Sequence, residues 1–198
     1  MARRIILWLL LGIFMASILG GPIIYRYFSL KQDIHTAEGL YLGIKPDYNI
    51  DFPISHSFAP WENAAYPVTG IFSSSTEYFV NLMTNQWLMG CNYGIFALTG
   101  VPPYWGVDPH NFHSANNAWC IALDYDPHKL PDAPFMFSRN LDILHLSEAH
   151  PDRLRNIAPY GLKGVLVVKT DGSAIFIPSK RIESEFNPLG LTNAVLRP

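Results

Sequence analysis

Hydrophobic positions fall into one long block and several short ones. Residues 5–24 contain no charged side chain and consist largely of Ile, Leu, Phe and Met, interrupted by Gly12, Ala16, Ser17, Gly20, Gly21 and Pro22. As a helix rising about 1.5 Å per residue, this run reaches about 30 Å, the thickness of a bilayer's hydrocarbon core. Arg3 and Arg4 stand before it, and the positive-inside rule then puts the N-terminus in the cytoplasm; Tyr25 suits the far interface, as does Tyr27. The pattern predicts a cytoplasmic stub over 1–4, a transmembrane helix over 5–27 and an exported domain over 28–198. A cleaved leader needs small residues two apart at its cut. Candidate cuts after Ala16, Ser17, Gly20 or Gly21 place Phe14, Met15, Ile18 or Leu19 at the upstream position, so retention is expected. Gly20, Gly21 and Pro22 weaken the last turn. Gly12, Ala16 and Gly20 recur every four residues, a spacing that lets a second helix approach closely.

Beyond the span the apolar periods shorten. Residues 31–42 continue as a short helix, with Gly39 and Gly43 marking an early stop. Residues 45–68 hold Pro46, Pro53, Pro60 and Pro67 together with five aromatic residues, which reads as an irregular but packed wrapping segment. Ser74-Ser75-Thr76-Glu77 has the capping-box form, so a helix follows. Its stripe is Phe79, Leu82, Met83 and Trp87, suited to lie on a sheet, with Gly90 as the stop. Strands are expected over 117–125 and 134–141. Residues 164–178 form two β-rich runs joined at Asp171-Gly172, a hairpin signature. Between them, 147–156 reads as a short helix with complementary end charges. The expected class is α+β: an N-terminal transmembrane helix, then a head with an antiparallel sheet and a packed helix.

Composition narrows the function classes. The 198 residues carry 14 basic and 16 acidic side chains, net −2, which removes the electrostatic case for nucleic acid. Residues 31–198 hold all 16 acidic residues and 11 basic ones, net −5, suiting a solvated exported face. No nucleophile elbow, phosphate loop or dinucleotide fingerprint occurs, so neither catalysis, a cofactor nor a small-molecule substrate is expected.

The remaining candidates have plainer readings beside them. His110 and His113 stand three apart, with His128, His145 and His150 further on, but no metal-binding motif accompanies them, and exposed loop histidines are expected. Asp124, Asp126 and Asp132 offer oxygens for calcium, yet they sit in a turn, and no metal is assigned. Cys91 and Cys120, the two thiols, would close a loop of about 30 residues if bonded, worth about 3 kcal/mol; the alternative is two separate thiols. Arg139 lies among strand residues and needs a partner, for which Glu77 is the expected carboxylate. The aromatic stretch containing Tyr93, Phe96, Tyr104 and Trp105 is the candidate docking surface, because Tyr and Trp dominate protein contact energetics.

Four blocks together carry a resemblance: 75–79 (Ser-Thr-Glu-Tyr-Phe), 116–121 (Asn-Asn-Ala-Trp-Cys-Ile), 134–141 (Pro-Phe-Met-Phe-Ser-Arg-Asn-Leu) and 164–173. In order and spacing, over about residues 70–180, they resemble the pseudopilin-like type II secretion proteins of Verrucomicrobia and related bacteria. The resemblance implies a pilin-like head and a role in a short periplasmic pseudopilus that pushes cargo through a secretion channel. One departure is physical. Such precursors carry a glutamate inside the apolar segment that pairs with a neighbouring subunit, whereas no acid occurs over 5–24. The expectation is therefore a non-enzymatic structural subunit of a secretion-type envelope assembly in the inner membrane, with its C-terminal domain periplasmic. Its partners would be the membrane and other protein subunits, as a self-polymer or a hetero-complex. The alternative is an accessory subunit of a respiratory or photosynthetic complex, its helix packed on a core subunit.

Overall fold

The computed structural model describes residues 2–44, 72–84, 91–123 and 132–198, without the side chains of 2–20 and 23. The wrapping segment expected over 45–68, the helix end at Trp87 and Gly90, and the turn residues Asp124, Asp126 and His128 lie outside the described residues. The chain divides into two units, Met1–Asp33 and Ile34–Pro198. In the first, α1 (Ala2–Ile44) keeps helical backbone through Gly20, Gly21 and Pro22, where the sequence suggested a weakened turn. Arg3, Arg4, Gly12, Ala16 and Gly20 lie on this backbone with their side chains outside the described residues. Among the described residues no helix is long and apolar enough to cross a membrane.

In the second unit α1 does not stop at Gly39. Ala37, Leu40, Tyr41 and Ile44 recur at helical spacing and are buried, while Leu42 is exposed. Two glycines cost a helix about 1 kcal/mol each relative to Ala, less than the burial of three large side chains at about 1.5–3 kcal/mol each provides. Packing overrides the local stop signal.

The head is α+β, with a five-stranded antiparallel sheet in the order β4-β3-β2-β1-β5. Its strands are β1 (Trp119–Ala122), β2 (Pro134–Ser138), β3 (Gly164–Lys169), β4 (Ala174–Pro178) and β5 (Val195–Leu196). Successive strand side chains alternate faces, and here both faces are apolar. Ile121, Met136, Val168, Leu166 and Phe176 share one face; Cys120, Phe137, Val167, Val165 and Ile177 share the other. A register shift between Pro134 and Met136 lets Phe135 join Met136 in the first cluster.

The first face is covered by the end of α1 and by α2 (Ser75–Thr84), the helix the capping box announced. The N-cap half of the box is built, Ser74 Oγ accepting from Glu77 N at 3.2 Å, while Glu77 Oε2 reaches one residue further back and accepts from Ser73 N at 2.7 Å. Hydrogen bonds from Ser73, first its backbone N–H and then its hydroxyl, hold the Glu77 carboxyl below its ordinary range. Phe79 and Leu82 are buried, as the stripe requires. Buried Asn117 ties α2 to the sheet, donating to Ser75 Oγ at 3.0 Å and accepting from Trp119 N at 2.9 Å. Committed to these bonds, Asn117 stands outside the strand, so β1 starts two residues later than the sequence pattern suggested. At the far end of β2, Leu141 N donates to Ser138 O at 3.2 Å in a turn that ends the strand before Leu141.

The second face is covered by irregular chain. The helix expected over 147–156 is instead two 3-10 turns, Leu146–Glu148 and Pro151–Arg153. Pro151 lacks a donor and holds His150 extended, so one helix cannot run through. Asp142 pins this layer: its Oδ2 accepts from Arg155 Nη2 at 2.6 Å and its Oδ1 from Arg197 Nη1 at 2.7 Å.

The β3–β4 hairpin is present, with a three-residue connection. Lys169 O accepts from Gly172 N and Lys169 N donates to Ser173 O, each at 2.9 Å. Gly172 sits at φ +91°, where a side chain would be strained. The Tyr41 ring lies over it, since a Cβ there would meet Tyr41 Cε1 at 2.7 Å. The Tyr41 hydroxyl donates to Thr170 O, and its ring meets Phe135 edge-on at 5.9 Å. The end of α1 is thereby clasped to the hairpin turn.

Gly172→Ala is expected to destabilise the head by about 2 kcal/mol or more, combining backbone strain of about 1–3 kcal/mol with displacement of the ring. In a Tyr41→Ala background the same change should cost less, because only the backbone part remains. Urea denaturation of the four chains closes this cycle; an equal cost in both backgrounds would contradict the clasp.

Asp142 gives a pH dependence. Hydrogen bonds from Arg155 and then Arg197 lower its pKa below the ordinary 3.8. A depressed folded-state pKa contributes stability that is present above pH 4 or so and lost as pH falls through the folded value. Asp142→Asn should cost up to about 1 kcal/mol at neutral pH, since the pairs are partly solvent-screened, and should flatten the acid side of the stability profile. A profile as steep as the parent's would exclude this pair as its source.

Candidate docking site

From Cys91 onward the aromatic loop is held by backbone hydrogen bonds, one of them to the residue just before β1. Ala118 N donates to Phe96 O at 3.0 Å, and Tyr93 N to Gly106 O at 3.2 Å. Asn92 Oδ1 accepts from Gly94 N at 2.9 Å and caps a 3-10 turn, Tyr93–Phe96. Asn116 Nδ2 donates to Pro102 O at 3.0 Å and pins the far limb.

This geometry splits the four candidate docking residues. Phe96 stacks on Phe79 at 4.3 Å between ring centroids, and Tyr93 stacks on Phe112 at 4.6 Å. Both are fully buried. Burial, then the proximity of Tyr104 and Asp108, raises the Tyr93 phenol above its ordinary range. Tyr93 and Phe96 are therefore core rather than surface, which corrects the sequence expectation. Tyr104 is half-buried, folded back over Gly106. Trp105 is 68% exposed. One part of its indole is seated on Gly94, where a Cβ would come within 2.4 Å of Trp105 Cε3. Only a bare backbone allows that approach.

Its near neighbours in the chain, Pro102, Pro103 and Val107, are exposed as well, and none of them was a sequence candidate. The result is an apolar ridge with a backbone fixed at both limbs. Such a ridge is suited to burial against another protein: Trp brings large contact area at low entropic cost.

The other candidates are placed as follows. Cys91 and Cys120 are free thiols, Cys91 exposed and Cys120 buried, so the disulfide is not formed. Burial in β1 pushes the Cys120 thiol up to about 12, and a thiol so protonated is a poor nucleophile. Tyr25 is 69% exposed on α1. His110 and His113 are exposed; the Asp108 carboxylate accepts from His110 N at 3.0 Å and caps Pro109–Asn111. Asp132 pairs with Lys169 at 3.2 Å. Among the described residues no three metal-ligating side chains converge.

Arg139 does not meet Glu77. It donates to backbone carbonyls of Ser114 at 2.9 Å, Ala115 and Asn117 at 3.1 Å, and Ala158 at 3.3 Å. A guanidinium has five donors and satisfies loop carbonyls that no strand reaches, while Glu77 is already committed to its own helix start.

Trp105→Ala should change stability by about 0.5 kcal/mol or less, as an exposed substitution does, whereas Phe96→Ala should cost about 3–5 kcal/mol. Chemical denaturation reads both; comparable losses would place Trp105 in the core and remove the ridge. The chain matches no family model, no curated protein and no solved structure.

Proposed function

We propose that this chain is a non-enzymatic, single-pass inner-membrane protein, a structural subunit of a secretion-type envelope assembly. Its N-terminus is cytoplasmic, its α+β head is periplasmic and pilin-like, and the Trp105 ridge docks a partner subunit. One observation carries the reading: 20 consecutive uncharged residues, 5–24, directly behind Arg3 and Arg4. Twelve of them are Ile, Leu or Phe, and at about −0.3 to −0.6 kcal/mol each in mid-membrane they favour insertion by roughly 4–7 kcal/mol. The resemblance to pseudopilin-like secretion proteins supports the choice of assembly; its four blocks fall on α2, β1, β2 and the β3–β4 hairpin.

The missing carboxylate favours a second reading of the partner. Without an acid over 5–24, the helix has no charge to pair with a neighbouring copy, and a fixed place in a hetero-complex fits better than a growing polymer. Gly12, Ala16 and Gly20 would then face a core subunit's helix, as in an accessory subunit of a respiratory or photosynthetic complex. Purification in mild detergent separates the two: self-polymers or secretion components support the first, cofactor-bearing subunits the second.

Leu10→Arg combined with Phe14→Arg should move the protein from the membrane to the soluble fraction, because two mid-span Arg cost about 5–7 kcal/mol, as much as the whole insertion gain. Unchanged fractionation of this double variant would count decisively against the anchor. Orientation is a separate matter, since Arg26 and Lys31 equal Arg3 and Arg4 in number. Protease added outside spheroplasts is expected to digest the head.

A further inference from the structure

The part of α1 just after the uncharged run is apolar and open. Ile24, Tyr25, Tyr27 and Phe28 are 57%, 69%, 65% and 63% exposed. Tyr27 and Phe28 touch edge to face at 5.8 Å, a pair that leaves both rings on the surface. At 3.6 residues per turn these four positions fall on an arc of roughly 160° of the helix. Exposed Lys31 falls on the same arc, three residues after Phe28, and exposed Arg26 on the opposite side. Contiguous open aromatic surface of this kind marks an interaction site.

Charge identifies what it meets. Residues 1–32 contain Arg3, Arg4, Arg26 and Lys31 and no acidic residue; Asp33 is the first of all 16, and the rest of the chain carries only 10 basic side chains. The charges of this segment are thus all positive, on a chain that is otherwise acidic. That combination complements a surface of phosphates over an apolar interior. A groove on an acidic protein would answer the charge, but not the continuity of this arc with 20 uncharged residues.

We infer that residues 24–31 form a bilayer-interface belt whose ligand is anionic phospholipid. Tyr25, Tyr27 and Phe28 sit at the depth of the glycerol and ester groups, where amphipathic rings are favoured. Arg26 and Lys31 extend their stems along the helix and hold phosphates. The belt is about 10 Å long at about 1.5 Å per residue, enough to cross the interfacial zone, and it fixes how deep the anchor lies. This inference rests on the membrane-anchor reading and deepens it.

The test uses the full chain with Cys91→Ser in sealed vesicles of phosphatidylethanolamine and phosphatidylglycerol, with phosphatidylcholine vesicles as the comparison. Single cysteines are introduced as Leu19→Cys, Ile24→Cys, Ser29→Cys or Gln32→Cys, and labelled with a membrane-impermeant maleimide. Leu19→Cys and Ile24→Cys should be shielded and Gln32→Cys labelled. Adding Tyr25→Ser, Tyr27→Ser and Phe28→Ser should raise labelling at Ile24→Cys severalfold in both vesicles. Arg26→Gln with Lys31→Gln should raise it severalfold only where phosphatidylglycerol is present. Unchanged urea denaturation of the head confirms that the variants fold. Labelling at Ile24→Cys that ignores the aromatic changes overturns the belt, and an equal response to the charge changes in both vesicles overturns its anionic ligand. Free labelling of Leu19→Cys with the belt intact would instead remove the anchor itself.

Discussion

A sheet that is apolar on both faces has to be covered twice, and this requirement organises the head. β3 and β4 read as nearly continuous hydrophobic runs, so helices on one side alone would leave Cys120, Phe137, Val165 and Val167 against water. The first layer is orthodox: the end of α1, α2 and the aromatic loop. The second is made of largely irregular chain, 139–154 and 179–194, and irregular chain brings backbone groups that no strand or helix satisfies. A few polar side chains of this chain satisfy backbone carbonyls in the loops and strand ends that border the sheet. Arg139 collects four carbonyls, Asn140 donates to Gly161 O and Gly164 O at 2.8 Å, and Asn193 donates to Leu123 O at 2.7 Å. Asp142, between Arg155 and Arg197, ties the C-terminal arm to the same layer.

The same arrangement explains how a docking surface can be rigid without regular structure. The loop bearing Trp105 is fixed through Phe96 O on Ala118 N just before β1, Gly106 O on Tyr93 N and Pro102 O on Asn116. Its buried aromatics, Tyr93 and Phe96, belong to the core that also holds Phe79 and Phe112. Trp105 therefore rests on a packed base, and little side-chain or loop entropy would be lost when a partner covers it. On the proposed reading, the α1 anchor restricts the chain to one membrane while the ridge selects the neighbour.

What was legible in the sequence was local. The capping box needs only Ser74 and Glu77, the hairpin needs only two β-rich runs and Gly172, and the alternating faces need only the strand period. What was not legible depended on partners far away in the chain. The glycines at 39 and 43 signal a stop, yet Tyr41 is held by Thr170 and Gly172, which lie some 130 residues on. Arg139 was sent to a carboxylate because charge pairing is the usual remedy, whereas loop carbonyls were the nearer need. Aromatic density marked Tyr93, Phe96, Tyr104 and Trp105 alike; Phe79 and Phe112 decide which of them face inward. The two cysteines likewise share a sequence interval and not a place.

The proposed anchor requires that the uncharged run stay with the mature chain and in lipid. Native membranes washed in alkaline carbonate, followed by intact-mass spectrometry of the chain recovered, address both at once. An anchored protein stays in the washed pellet with a mass that retains residues 5–24. Recovery in the carbonate supernatant, or a chain shortened by its first twenty or so residues, would contradict the anchor.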